Sequence, residues 1–121
     1  MPSGSISIMN KHLKNESDVS HEFYHQGRLR GWDLWTQVKY ESAYHRSGYF
    51  IVDCIVGINA EPICAIEFKR EGKGQPKPWS RQGRAYRDLD LPVLFCLGSS
   101  GLQDAIERTE DLVLYGETSC H

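Results

Sequence analysis

Three side chains in this sequence are of the kinds that hold a hard cation and steer a water molecule when brought together: Asp53, Glu67 and Lys69. Mg²⁺ favours one or two carboxylates, with waters and phosphate oxygens completing its shell. An ammonium beside such a pair can orient or help activate a water, or offset charge on a phosphate. Whether the three meet depends on the elements that carry them.

Tyr49 to Gly57 (YFIVDCIVG) and Ile63 to Arg70 (ICAIEFKR) are runs of strand length and strand composition. The five residues between them, Ile58 to Pro62, form a connection of the kind that joins antiparallel strands. If that loop is symmetric, Gly57 faces Ile63, and continuing the ladder sets Asp53 opposite Glu67. Side chains alternate with period two, so Lys69 shares a face with Glu67, and Ile51 is its cross-strand partner. Ile51, Ile55, Ile63 and Ala65 fall on the same face, which embeds the acids in an apolar strand pair. Directly opposed Cβ atoms stand roughly 4.5 to 5.5 Å apart, and like charges there are destabilising. A divalent cation is the natural compensation; an ordinary Glu-Lys pair on a half-exposed sheet is the plain alternative.

The remaining punctuation gives the order αβββαβα, a mixed sheet flanked by helices and an α/β domain. Residues 1–15 are polar and small and read as a loose arm before one domain over residues 16–121. Asp18 to about Arg30 suits a helix capped by Asn15 or Ser17 and ending near Gly31. Leu34 to about Tyr44 reads as a first strand. Pro78 to Leu89 suits a helix with proline in its first turn, and Leu91 to Leu97 (LPVLFCL) a buried strand. Ser100 with Gln103 makes a capping box for a last helix that turns Leu102, Ala105 and Ile106 inward.

With these residues in place, the chain resembles the PD-(D/E)xK phosphodiesterases, which share the restriction-endonuclease-like core. The match is Asp53, thirteen intervening positions, then Glu67-Phe68-Lys69. It implies Mg²⁺, for which Mn²⁺ can substitute, on Asp53 and Glu67, with Lys69 serving the attacking water. Val52 stands where the motif's proline often lies. Gln82-Gly83-Arg84-Ala85-Tyr86 resembles the Q-x-x-x-Y element of RecB-like nucleases, whose Gln82 and Tyr86 share a helical face with Trp79. There Gln82 would bond Lys69 or a phosphate, while Trp79 and Tyr86 pack the helix on the sheet. Many members carry an acid on the first helix; Glu22 is the leading candidate, with Glu16 and, on the first strand, Glu41 as others. The size and order of elements look closest to virus-type replication-repair nucleases and archaeal-type Holliday junction resolvases. The activity implied is that of a metal-dependent DNA endonuclease, structure-specific for junctions or flaps, working as a homodimer.

A second motif competes. His21-Glu22-Phe23-Tyr24-His25 satisfies H-E-x-x-H, the zinc-peptidase helix. The longer metzincin pattern fails because Arg28 occupies its glycine position, and no second helical region supplies a third ligand. A further alternative is a catalytically silent nucleic-acid-binding or inhibitory module on the same fold.

Charge supports a nucleic-acid partner only locally. The formal net charge is -2, but Lys69 to Arg87 holds seven basic residues (Lys69, Arg70, Lys73, Lys77, Arg81, Arg84 and Arg87) against one acid, Glu71. Such a stretch is suited to backbone phosphates. The four cysteines, Cys54, Cys64, Cys96 and Cys120, lack C-x-x-C spacing, and three lie in apolar runs. They read as small core residues in a reducing compartment. No segment has the length of a signal h-region or a membrane span, so a cytoplasmic location is expected.

Overall fold

The computed structural model describes residues 16–43, 47–70 and 76–116. The expected arm (1–15), Lys73, Cys120 and the side chains of Glu16 and Arg81 lie outside that description. The elements are α1 (Glu16–Leu29), β1 (Asp33–Glu41), β2 (Tyr49–Ile58), β3 (Glu61–Lys69), α2 (Arg81–Asp88), β4 (Val93–Leu97), a short 3-10 turn (Ser99–Gly101) and α3 (Leu102–Tyr115). They make an α/β structure around one four-stranded sheet in the order β1-β2-β3-β4. β1, β2 and β3 are antiparallel, and β3 runs parallel to β4. A parallel pair needs a crossover, and α2 supplies it.

The two sheet faces bury different sets of residues. One carries Leu34, Cys54, Val56, Cys64, Ile66, Phe68 and Cys96 against Val19 and Phe23 of α1 and Ala105, Ile106 and Leu112 of α3. The other carries Val38, Tyr40, Val52, Ile55, Ala65 and Val93 with Leu89 and Leu91, which follow α2. Phe23 is fully buried and meets Phe68 edge-on with ring centroids 5.6 Å apart. The three described cysteines are buried and unpaired, and burial pushes each thiol up to about 12. They act as small apolar residues, as the sequence suggests. Among the described residues no helix is long and apolar enough to cross a membrane.

The β2–β3 connection is tighter than expected. β2 continues to Ile58 and β3 begins at Glu61, leaving only Asn59 and Ala60 in the turn, both at positive φ (52° and 66°). That is the left-handed pair of a two-residue hairpin turn matched to strand twist. Gly57 pairs with Pro62, not Ile63, and a bulge between Val56 and Gly57 restores the register to Val56↔Cys64. Gly57 has no alternative there, because a Cβ would lie 2.4 Å from the Glu61 carbonyl oxygen and 2.7 Å from the Trp35 ring.

The helices differ from expectation in detail. α1 starts at Glu16, so Ser17 lies inside it. α2 starts after Pro78, with Ser80 as N-cap accepting from the Gly83 N–H at 3.0 Å. The capping box expected from Ser100 and Gln103 does not form: the N-cap of α3 is Gly101, without a side-chain bond, and Ser100 belongs to the 3-10 turn.

Candidate metal-binding site at the split between two strands

The β2–β3 ladder ends at Cys54↔Ile66. Beyond it β2 stays paired with β1 as far as Tyr49, and β3 with β4 as far as Lys69. The two central strands therefore diverge at Asp53 and Glu67, where a sheet would leave backbone groups unpaired. Carboxylates fill the gap. The Asp53 N–H donates to Glu67 Oε1 at 2.7 Å, and the Phe68 N–H donates to Asp53 Oδ2 at 2.9 Å. Each acid thus takes the amide that the opposing strand has released.

Glu67 is only 4 % exposed. Its second oxygen accepts the Tyr86 hydroxyl at 2.6 Å, and that hydroxyl accepts from the Gln82 side-chain amide at 2.8 Å. Burial raises the Glu67 carboxyl above its ordinary range, opposed by the Tyr86 and Asp53 hydrogen bonds and by the Lys69 charge. Burial beside Glu67 likewise raises the Tyr86 hydroxyl. A carboxylate oxygen has two acceptor directions, so an oxygen holding one N–H or O–H can still meet a cation. Two carboxylates, one of them desolvated, fit Mg²⁺ completed by water and phosphate. Among the described residues no group of three or more His, Cys, Asp or Glu is clustered as a metal cage.

α2 is fastened from three sides. Tyr86 reaches Glu67 and packs between Phe50 and Phe95, with centroids 5.3 and 5.6 Å away. Tyr40 donates to the Ala85 carbonyl at 2.8 Å, and Ser42 donates to Asp88 at 2.9 Å. Gly83 allows the preceding loop to close on the helix, since a Cβ would lie 2.2 Å from the Lys77 carbonyl oxygen.

Of the residues singled out in the sequence, Asp53, Glu67, Gln82 and Tyr86 come together, with Lys69 close enough for its charge to favour the Glu67 carboxylate. Several expectations need correction. The Gln82 side-chain amide is taken up by the Tyr86 hydroxyl, an intramolecular partner that the sequence did not indicate. Ile51 pairs with Lys39 and is 51 % exposed, while Lys69 pairs with Leu97, because the central strands have already separated. Trp79 lies before α2, not on its packed face, and is 69 % exposed beside Lys77. Glu22 accepts from Gln26 on the flank of α1 where Arg30 links Gln26 to Glu110 of α3. Tyr24 occupies the other flank, edge-on against Phe68 with centroids 5.8 Å apart, and burial raises its hydroxyl to about 12. Glu22 is thus bonded within α1, and among the described residues it makes no hydrogen bond to either acid's strand. Glu41, exposed at the far end of β1, lines a shallow hollow with Ser42, Gly48 and Asp88. By register it lies four residues along β2 from Asp53, roughly 13 Å.

Arg70, Lys77, Arg84 and Arg87 are exposed. His21 and His25 are exposed on the outer side of α1, opposite the buried Val19 and Phe23, and His21 meets Tyr24 edge-on. Sequence reasoning missed Tyr24, Tyr40, Gly83 and Gln37. Of these only Gly83 had a signal, a glycine inside an otherwise helical Q-x-x-x-Y segment.

Comparison of the chain with protein-family models, with curated proteins and with solved structures returns no match.

Proposed function

We propose that this chain is a Mg²⁺-dependent DNA endonuclease of the PD-(D/E)xK type on a restriction-endonuclease-like core, working as a homodimer. The observation that carries the reading is the pair Asp53 and Glu67 at the point where β2 and β3 part, each bonded to an amide of the other's strand. The pair is backed by Tyr86 and Gln82, and the Lys69 charge favours the Glu67 carboxylate. In this reading Asp53 and Glu67 hold the ion. Bound there, Mg²⁺ neutralises charge on the phosphate and acidifies water. Lys69 orients the attacking water and offsets charge on the scissile phosphate. Tyr86, itself held by Gln82, fixes the rotamer of the buried Glu67. Arg70, Lys77, Arg84 and Arg87, with Lys73 and Arg81, bind the DNA backbone. A junction or flap is the substrate expected from the family resemblance.

One observation favours a second reading, a nucleic-acid-binding module without chemistry: both oxygens of the buried Glu67 already accept hydrogen bonds. The test separates the two. Labelled duplex, nicked, flap and four-way-junction DNA are incubated with the protein in Mg²⁺, Mn²⁺ and EDTA, and light scattering reports its oligomeric state. Metal-dependent cutting is expected, abolished by Asp53→Ala, Glu67→Ala or Lys69→Ala in proteins with unchanged circular dichroism. Binding of DNA without cleavage in either metal would establish the silent module; undiminished cutting by Glu67→Ala would end the assignment.

A further inference from the structure

Gln37 stands in the middle of β1 with φ of 53°. Among the described residues it is the one strand position in the left-handed region, which Gly, Asn and Asp enter most readily and longer side chains at a steric penalty. Its surroundings explain what that conformation does. β1 and β2 pair from Asp33↔Gly57 to Thr36↔Cys54, then again from Val38↔Val52 to Glu41↔Tyr49. One residue on each strand is passed over: Gln37 on β1 and Asp53 on β2.

The register is the same on both sides of this gap, but the facing of the side chains is not. Leu34, Cys54 and Val56 point toward α1 and α3, whereas Val38, Tyr40 and Val52 lie in the opposite cluster with Leu89 and Leu91. All six are even-numbered positions, which a regular strand pair would keep on one face. The alternation of both strands therefore inverts at Gln37 and Asp53. A regular ladder would set Asp53 on the side of Ile55 and Ala65, which are buried, and turn Val52 toward the helices. With the inversion, Val52 fills the apolar site and Asp53 remains partly exposed. The Asp53 N–H meets Glu67, and the Asp53 carboxylate meets Phe68 in the opening between β2 and β3.

We infer that Gln37 is a positioning residue whose left-handed backbone, and not its amide side chain, inverts the hairpin and sets the Asp53 carboxylate where it shares one cation with Glu67. The inference rests on the reading of these two acids as Mg²⁺ ligands. It predicts that substitutions at this exposed position sort by tolerance of positive φ, not by size or polarity.

The experiment compares wild type with Gln37→Gly, Gln37→Asn, Gln37→Ala and Gln37→Val. Two quantities are read for each: the melting temperature in EDTA and the Mn²⁺ concentration giving half the metal-induced rise in that temperature. Gln37→Gly and Gln37→Asn are expected to respond to Mn²⁺ at or below the wild-type concentration, with Gln37→Gly melting no lower than wild type in EDTA. Gln37→Ala and Gln37→Val should need at least tenfold more Mn²⁺ while keeping the wild-type circular dichroism, and DNA cleavage should fall in the same order. If Gln37→Val does not fold, the comparison of glycine with alanine decides. Equal Mn²⁺ response across the series overturns the inference, as does a loss in Gln37→Gly as large as in Gln37→Ala, which would assign the effect to the amide. A wild type indifferent to both Mg²⁺ and Mn²⁺ is a different result: it overturns the metal-site reading, and the inference with it.

Discussion

At the residue scale the decisive group is Glu67, a buried acid whose hydrogen bonds do not cancel its desolvation. A raised pKa in the folded state means that the native protein binds this proton more tightly than the unfolded chain does. The metal-free protein thus loses stability as pH rises above the ordinary 4.5 and carries the whole penalty beyond the raised value. The penalty is relieved as pH falls through that value toward the ordinary 4.5. Glu67→Gln preserves shape: its oxygen can accept from Asp53 and its amide can donate to Tyr86. In EDTA the variant is expected to melt at or above wild type near neutral pH and to lose this part of the pH dependence, as thermal melts from pH 8 to pH 5 would show. Tyr86→Phe has the opposite effect, leaving a charged acceptor without its donor. A hydrogen bond to a charged group contributes about 1.5–3 kcal/mol, so a urea titration should show a loss of that size. Because the Tyr86 bond lowers the Glu67 pKa, Mg²⁺ binding by this variant should also weaken at a higher pH than in wild type.

At the scale of elements, α2 illustrates how packing reverses a local preference. Replacing a mid-helix glycine by alanine ordinarily stabilises by about 1 kcal/mol. At Gly83 the added Cβ would meet the Lys77 carbonyl oxygen at 2.2 Å and the Pro78 Cα at 2.9 Å, both backbone atoms that a side-chain rotation cannot clear. Gly83→Ala is therefore expected to destabilise by about 1–3 kcal/mol, the range for overpacking. Calorimetry of the metal-free protein checks the sign, and a stabilised variant would show that the loop yields freely. Since α2 delivers Tyr86 and Gln82 to Glu67, cleavage should fall in step with the helix displacement.

Over the whole molecule the net charge of -2 gives no general attraction for nucleic acid. Attraction must come from the stretch between Lys69 and Arg87, which runs from the end of β3 into α2. Replacing Arg81, Arg84 and Arg87 together by Gln is expected to weaken binding to every DNA sequence tested. It should also flatten the plot of log affinity against log salt by up to roughly 0.9 for each phosphate that is no longer neutralised. Fluorescence anisotropy at low and at moderate salt measures both. An unchanged slope would place the DNA path elsewhere on the surface.

Much of this arrangement follows from local chemistry and is legible in the sequence. The alternating apolar runs YFIVDCIVG and ICAIEFKR give two strands, their short polar connection gives a hairpin, and together they bring Asp53 and Glu67 to the end of one ladder, one step past Cys54↔Ile66. Gln82 and Tyr86 at i, i+4 give one helical face. Tertiary structure decided the rest, because those outcomes depend on groups distant in the chain. The hairpin turn is two residues with a bulge, a close approach that Gly57 permits because any Cβ there would meet the Glu61 carbonyl and the Trp35 ring. Glu22 is held by Gln26 on the flank of α1 that Arg30 ties to α3, while Tyr24 takes the flank against Phe68. Trp79 is left in solvent because α2 begins only after Ser80. The inversion at Gln37 leaves no mark in a sequence pattern: period-two alternation fixes which residues share a face only while the strand stays regular. Whether it stays regular was settled by fitting Val52 beneath Leu89 and Leu91 and opening β2 from β3 around two carboxylates.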